Sequence, residues 1–205
     1  MIDLSKEQAQ FDRPPLPIPN NSLVLVKLTL RKPTYPSQVH HLVLATKGGL
    51  LGLDGEFEVT AGSYTGAKIW ENLWLPADLQ NIQLSTGHQT ACKIAGAKMK
   101  AMVEAARKID PKDESPNANQ QRMIQDWSSL SGMYFGVRVG VKTEPNDKGY
   151  YNNFIRSIIT PDHEHYDYIA RGGEMISDEP VPLAVKQRQD NSGNSYTPPD
   201  EDIPF

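Results

Sequence analysis

The stretch MYFGVRVGVK, residues 133–142, decides how the chain folds. Its odd positions, Met133, Phe135, Val137, Val139 and Val141, are all apolar. Its even positions, Tyr134, Gly136, Arg138, Gly140 and Lys142, are aromatic, basic or glycine. A period of two sustained over ten residues belongs to a half-buried β-strand with one face in a core and the other open. The loop TEPNDKG follows, and YYNNFIRSII, 150–159, reads as the returning strand, with Tyr150, Asn152, Phe154 and Arg156 on one face.

Three longer strands and one short one stand upstream. SLVLVKLTLR, 22–31, has no breaker before Pro33, and VHHLVLA, 39–45, reads as a short strand within the polar connection after it. LLGLDGEFEVT, 50–60, carries glycines that suggest a bulge or strong coiling. The turn AGSYTG then leads into KIWENLWLP, 68–76, closing a hairpin. Between the two strand groups the period changes. In TACKIAGAKMKAMVEAARKI, 90–109, Ala91, Ile94, Ala95, Met99, Met102, Ala106 and Ile109 recur at helical steps. The other faces of that helix carry Lys93, Lys98, Lys100, Arg107 and Lys108 against Glu104, and Pro111 stops it. A second helix is expected through NANQQRMIQDWSSL, 117–130.

The order strand–strand–strand–helix–strand–strand is that of the OB-fold, a five-stranded Greek-key barrel that binds oligonucleotides. The expected fold class is therefore mainly β with α (α+β): an OB-fold barrel with a helical insertion between strands 3 and 4. A generic antiparallel α+β domain has the same order. The expected organisation is an extended, proline-rich N-terminal arm (1–20), the barrel (21–170) and a disordered acidic tail (171–205), where apolar periodicity fades.

Composition narrows the partners. The 205 residues are 38% hydrophobic and 22% charged, no apolar run approaches a membrane span, and MIDLSKEQAQ has no export signal, so a cytoplasmic, non-membrane protein is expected. One cysteine, Cys92, allows no internal disulfide. The net charge of −4 divides unevenly: residues 161–205 carry ten acids against three bases, and residues 1–160 carry 18 bases against 15 acids. A basic body suits a polyanion, and an acidic tail suits a basic partner or the body's own basic site.

Single-stranded nucleic acid asks for cations along the phosphates and flat side chains under the bases. The 133–142 strand offers Tyr134, Arg138 and Lys142, and its partner offers Tyr150, Phe154 and Arg156. The 68–76 strand adds Lys68, Trp70 and Trp74, the tryptophans being readable either as platforms or as core. The basic helix face is a further phosphate track or simply a solvated surface. Catalysis has no comparable anchor. GGLLGLDG and GSYTG lack the spacing of a phosphate loop. His163 and His165 around Glu164 suggest a metal pair only weakly, and no His–Asn constellation surrounds Cys92. No enzyme, cofactor or metal is expected.

The chain closes on DEDIPF: Asp200, Glu201, Asp202, Ile203, Pro204 and Phe205. Acids followed by an apolar anchor are what a partner's pocket with a basic rim grips. This stretch resembles the C-terminal tip of bacterial single-stranded DNA-binding proteins, which in that family docks replication, recombination and repair enzymes. The body resembles a group of phage-encoded proteins thought to be OB-fold DNA binders. Gly62, Tyr64, Gly66, Lys68, Ile69, Trp70 and Asn72 match their first hairpin, and Gly149, Tyr150, Asn153 and Ile155 their second. Ala67 departs from the basic residue that many relatives carry there. The resemblance implies a phage single-stranded DNA-binding protein in the host bacterial cytoplasm, recruiting host enzymes through its tip, and possible as a homo-oligomer. The alternative is an interaction protein that mimics the tip to capture those enzymes and binds no DNA.

Overall fold

Alternation along the strands sets the architecture. Val24, Val26, Leu28 and Leu30 are buried on one side of the first strand, and Phe135, Val137 and Val139 on the same side of the strand it pairs with. The computed structural model describes residues 17–34, 36–37, 40–80 and 82–180. Within them run β1 (Leu23–Arg31), β2 (Val43–Ala45), β3 (Leu51–Val59), β4 (Lys68–Trp74), α1 (Thr86–Arg107), α2 (Pro116–Arg122), β5 (Tyr134–Val141), β6 (Asn153–Ile159) and α3 (Tyr166–Ala170). The protein is a mainly antiparallel sheet with three helices among the described residues. None of those helices is long and apolar enough to cross a membrane.

Register gives the topology. Asp54 of β3 pairs with Arg31 of β1 on one edge and with Asn72 of β4 on the other. Leu53, the next rung, pairs with Val43 of β2 and with Leu73 of β4. A strand has two edges, so β1 and β2 lie end to end along one edge of β3, with β4 along the other. β1 also pairs with β5, and β5 with β6. The sheet therefore runs β4, β3, β1 with β2, β5, β6, and it is open: β4 and β6 lie side by side without a ladder. Glu71 and Lys98 occupy that seam. Glu71 Oε2 accepts from the Ile155 amide at 3.3 Å, and Lys98 Nζ donates to the Ile155 carbonyl at 3.0 Å while pairing with Glu71 Oε1.

The inward side chains form one core, in which Phe57 and Phe135 meet edge to face with centroids 6.3 Å apart. Burying each such side chain stabilises the fold by about 1.5–3 kcal/mol. The end of the core is covered by α1, capped by Ser85 Oγ on the His88 amide and ended by Lys108 in the left-handed region. Its buried face is Cys92, Ala95, Met99, Met102, Val103 and Ala105, so the expected face was rotated: Ile94 is 61% exposed. The basic face also shrinks. Lys98 turns into the seam, and Arg107 donates to the carbonyls of Gln121 and Met123. Glu104, on the polar side of the sequence pattern, is buried against Arg122 Nε at 2.7 Å and Lys100 Nζ at 3.4 Å.

The expected second helix is broken in two. Met123 is extended (ψ 135°), and a separate 3₁₀ turn spans Trp127–Leu130 behind an Asp126 cap. The carbonyls that a continuous helix would use internally go instead to Arg107. Residues 171–180, read as the start of a disordered tail, pair with β1: Leu23 and Met175 exchange both backbone hydrogen bonds, at 2.8 and 2.9 Å. The pairing continues β1's edge where β3 ends, an opportunity that composition does not reveal. Residues 1–16 of the arm and 181–205 of the tail lie outside the described residues.

Replacing Glu71 by alanine leaves the Ile155 amide without its acceptor and the Lys98 ammonium with the Ile155 carbonyl but no carboxylate. The expected loss is about 2–4 kcal/mol, read as a lower urea midpoint with an unchanged slope; Glu71→Gln, which still accepts from the amide, loses less.

Candidate nucleic-acid interface

Because Ile69 and Leu73 point into the core, Lys68, Trp70, Asn72 and Trp74 share the outer phase of β4. The two tryptophans then part ways. Trp74 is half-buried against Leu50, Leu84 and Cys92, and its ring lies on Gly52, where an added Cβ would stand 2.8 Å from it. It is a packing residue. Trp70 is 55% exposed. Its indole Nε1 donates to Glu56 Oε2 at 3.1 Å, and Lys68 Nζ donates to Glu56 Oε1 at 2.7 Å. The Lys68 ammonium holds the Glu56 carboxyl below its ordinary range, and the carboxylate in turn raises Lys68.

Trp70 and Lys68 form one wall of a cleft of about 350 Å³, with Pro17, Ile18, Tyr150, Tyr151, Asn152 and Asn153 around it. The opposite wall is the β5–β6 connection. It turns at Gly149 (φ 80°), and Asn146 Oδ1 accepts from the amides of Lys148 and Tyr150. Asn153 fastens the floor: its Oδ1 accepts from the Ile18 amide, and its Nδ2 donates to the carbonyls of Ile18 and Gly140. Tyr150 and Asn152, read as strand residues, thus belong to this connection. Tyr151, which the sequence reading passed over as the neighbour of Tyr150, lines the same cleft.

The second group lies on the outer face of β5 and β6. Gly140 pairs with Phe154, and the ring packs over it: a Cβ at 140 would stand 2.3 Å from Phe154 Cζ. Lys142 and Arg156 flank the ring in a shallow depression of about 400 Å³ whose rim includes Glu144, and the Arg156 guanidinium stands 5.9 Å from the ring centroid. The β5–β6 register shifts between Arg138 and Val139, with Arg138 opposite Ser157 and Val139 opposite Ile155. Arg156 is the extra residue of that bulge, so Arg156 and Ser157 both face outward. Arg138 and the Lys142 ammonium have no hydrogen-bond or ion-pair partner among the described residues. Arg156 donates to Asn20 Oδ1 at 3.0 Å, and Glu179, bound to Asn20 and Asn21, lies close enough to feel its charge.

Tyr134 stands further along β5, 51% exposed, with Lys27 Nζ 5.8 Å from its ring centre. Between it and Arg138 the outer face is closed, since Ile169 of α3 sits over Gly136. The nine expected residues therefore divide. Lys68, Trp70 and Tyr150 gather at the cleft; Lys142, Phe154 and Arg156 gather at the depression beside Arg138; Tyr134 stands apart; Trp74 is packed away. Asp200, Glu201, Asp202, Ile203, Pro204 and Phe205 lie outside the described residues.

The remaining expectations about chemistry are quickly placed. Cys92 is buried, and burial pushes its thiol up, away from the reactive thiolate. His163 Nδ1 accepts from the His165 amide, and among the described residues no group of three His, Cys, Asp or Glu side chains could hold a metal ion. No known protein family, no curated protein and no solved structure matches the chain.

The depressed Glu56 carboxyl gives a pH dependence with a definite sign. Its contribution is complete above the unfolded glutamate value of about 4.3 and disappears as pH falls through the lower folded value. Tryptophan emission of the protein should therefore shift with a midpoint below about 4.3, and the step should be missing from Trp70→Phe.

Proposed function

We propose that this is a single-stranded DNA-binding protein, its sheet an OB-type barrel left open at the β4–β6 seam and its acidic tail a recruiting segment. The observation that carries the reading is the outer face of β5–β6. The Phe154 ring packs over Gly140 there, with Lys142 and Arg156 flanking it and Arg138 further along β5, and among the described residues no carboxylate is ion-paired to any of the three. Cations leaving no acid partner suit phosphates, and a ring with one open face suits a base of any identity. Strand order supports the barrel: β1 between β3 and β5, β4 beyond β3, β6 beyond β5, and a helix between β4 and β5. The resemblance of DEDIPF and of the two hairpins to phage and bacterial single-stranded DNA-binding proteins supports the assignment to DNA and to host replication, recombination and repair enzymes. Binding and recruitment need no catalysis.

Oligo-dT should bind the full chain far better than duplex of equal length. Its affinity should fall with salt at a logarithmic slope of about −2, three cations at about −0.7 each. Phe154→Ala should weaken binding by about 1–3 kcal/mol, and Arg156→Gln should weaken it and flatten the slope. Equal binding of duplex and single strand, or none at all, refutes the reading; the latter with intact capture of a tail-reading enzyme would favour the tip-mimicking alternative.

A further inference from the structure

The cleft beside Trp70 differs in chemistry from the β5–β6 face. Its walls are aromatic and amide, and the one cation lining it among the described residues, Lys68, is already matched by Glu56. A phosphate gains little in such a place, whereas a flat, uncharged base gains a stacking surface and the polar groups of Tyr150, Tyr151 and Asn152. The outer face of β3 reinforces the distinction: Asp54, Glu56 and Glu58 line it, with Arg31 taken up by Asp54 at 2.8 Å. Phosphates gain no net attraction from that side of the cleft.

Trp70 itself carries the stronger hint. It contributes nothing to the core, yet its indole is not left to rotate in solvent. Glu56 fixes the N–H, and the short Lys68 contact fixes Glu56. Orienting an exposed ring costs side-chain entropy that stability does not require. The gain is a ring plane set before any ligand arrives.

We propose that Glu56 is a positioning residue of the polynucleotide site, holding the Trp70 indole so that the neutral cleft accepts one unpaired nucleobase against it. This inference rests on the single-strand reading above. Glu56 does two things at once: it orients the platform, and it neutralises Lys68 so that the backbone of the strand stays on the β5–β6 face.

The test compares the full-length protein with Glu56→Ala, Glu56→Gln, Trp70→Phe and the Glu56→Ala/Trp70→Phe double variant. The probes are oligo-dT and an abasic oligonucleotide of the same length. Glu56→Ala should weaken oligo-dT about five-fold or more, part of the worth of one stacked base, and should not weaken the abasic strand, whose phosphates meet the freed Lys68. Glu56→Gln should restore oligo-dT affinity, because its amide oxygen still accepts from the indole. In the Trp70→Phe background, Glu56→Ala should add no further loss. In the free protein, nanosecond anisotropy decay assigned to Trp70 by difference from Trp70→Phe should quicken in Glu56→Ala. Equal losses for both strands, an additive double variant, or unchanged indole motion would each overturn the positioning role while single-strand binding stands. A wild-type protein that binds neither strand would overturn the functional reading and this inference together.

Discussion

The seam between β4 and β6 is the place on which the rest of the molecule depends. An edge strand presents unpaired amides and carbonyls, and at Ile155 both are met by side chains, Glu71 and Lys98, instead of by a neighbouring strand. Pinning Glu71 and Ile155 inward has a strict consequence, because successive strand residues face opposite ways. Trp70 and Asn72 must turn outward beside Glu71, and Phe154 and Arg156 beside Ile155. The ion pair thus stands between the two candidate binding surfaces, whose phase it sets together with the buried Ile69, Leu73 and Ile155, and the same lysine ties α1 to the sheet.

Charge on the outer surface is sorted by strand. The acids of β3 are largely consumed by Arg31 and Lys68, leaving a face with little net attraction for anions. Across β1, the outer face of β5 and β6 carries cations with no ion-pair partner among the described residues, with Glu144 at the rim and Glu179 near Arg156. Arg156 owes its direction to the bulge, which lets two consecutive residues face solvent. A regular β6 would have put one of them in the core.

Strand existence was legible from alternation, which is why Phe135, Val137 and Val139 are inside and Tyr134 and Arg138 are not. What alternation does not carry is what covers an outer face. Gly136 and Gly140 look identical in sequence, yet one lies under Ile169 and the other under Phe154. Trp70 and Trp74 share a phase and differ in fate because only Trp74 meets Leu84 and Cys92. Helical period misplaced Ile94 by part of a turn, and it gave no hint that Lys98 and Glu104 are partners of distant residues. The bulge escaped notice because it is a property of pairing, and the pairing of 171–180 with β1 because a short polar segment has no period to read.

One feature of the sheet bears on how the chain tolerates change. β1 leaves the edge of β3 at Arg31, opposite Asp54, and β2 resumes it at Val43, opposite Leu53, so consecutive rungs flank an excursion of residues 32–42. The register on either side is held by β3, and the excursion is tied down only on its return, where Pro36 bridges Leu44 and the Ser37 amide donates to the Val43 carbonyl. Closing a longer loop costs only about 0.6 kcal/mol per doubling of its length. The protein thus has a natural port at residues 32–34, where a reporter domain or an extra recognition module can be spliced without disturbing the ladders that β3 makes with β1 and β2.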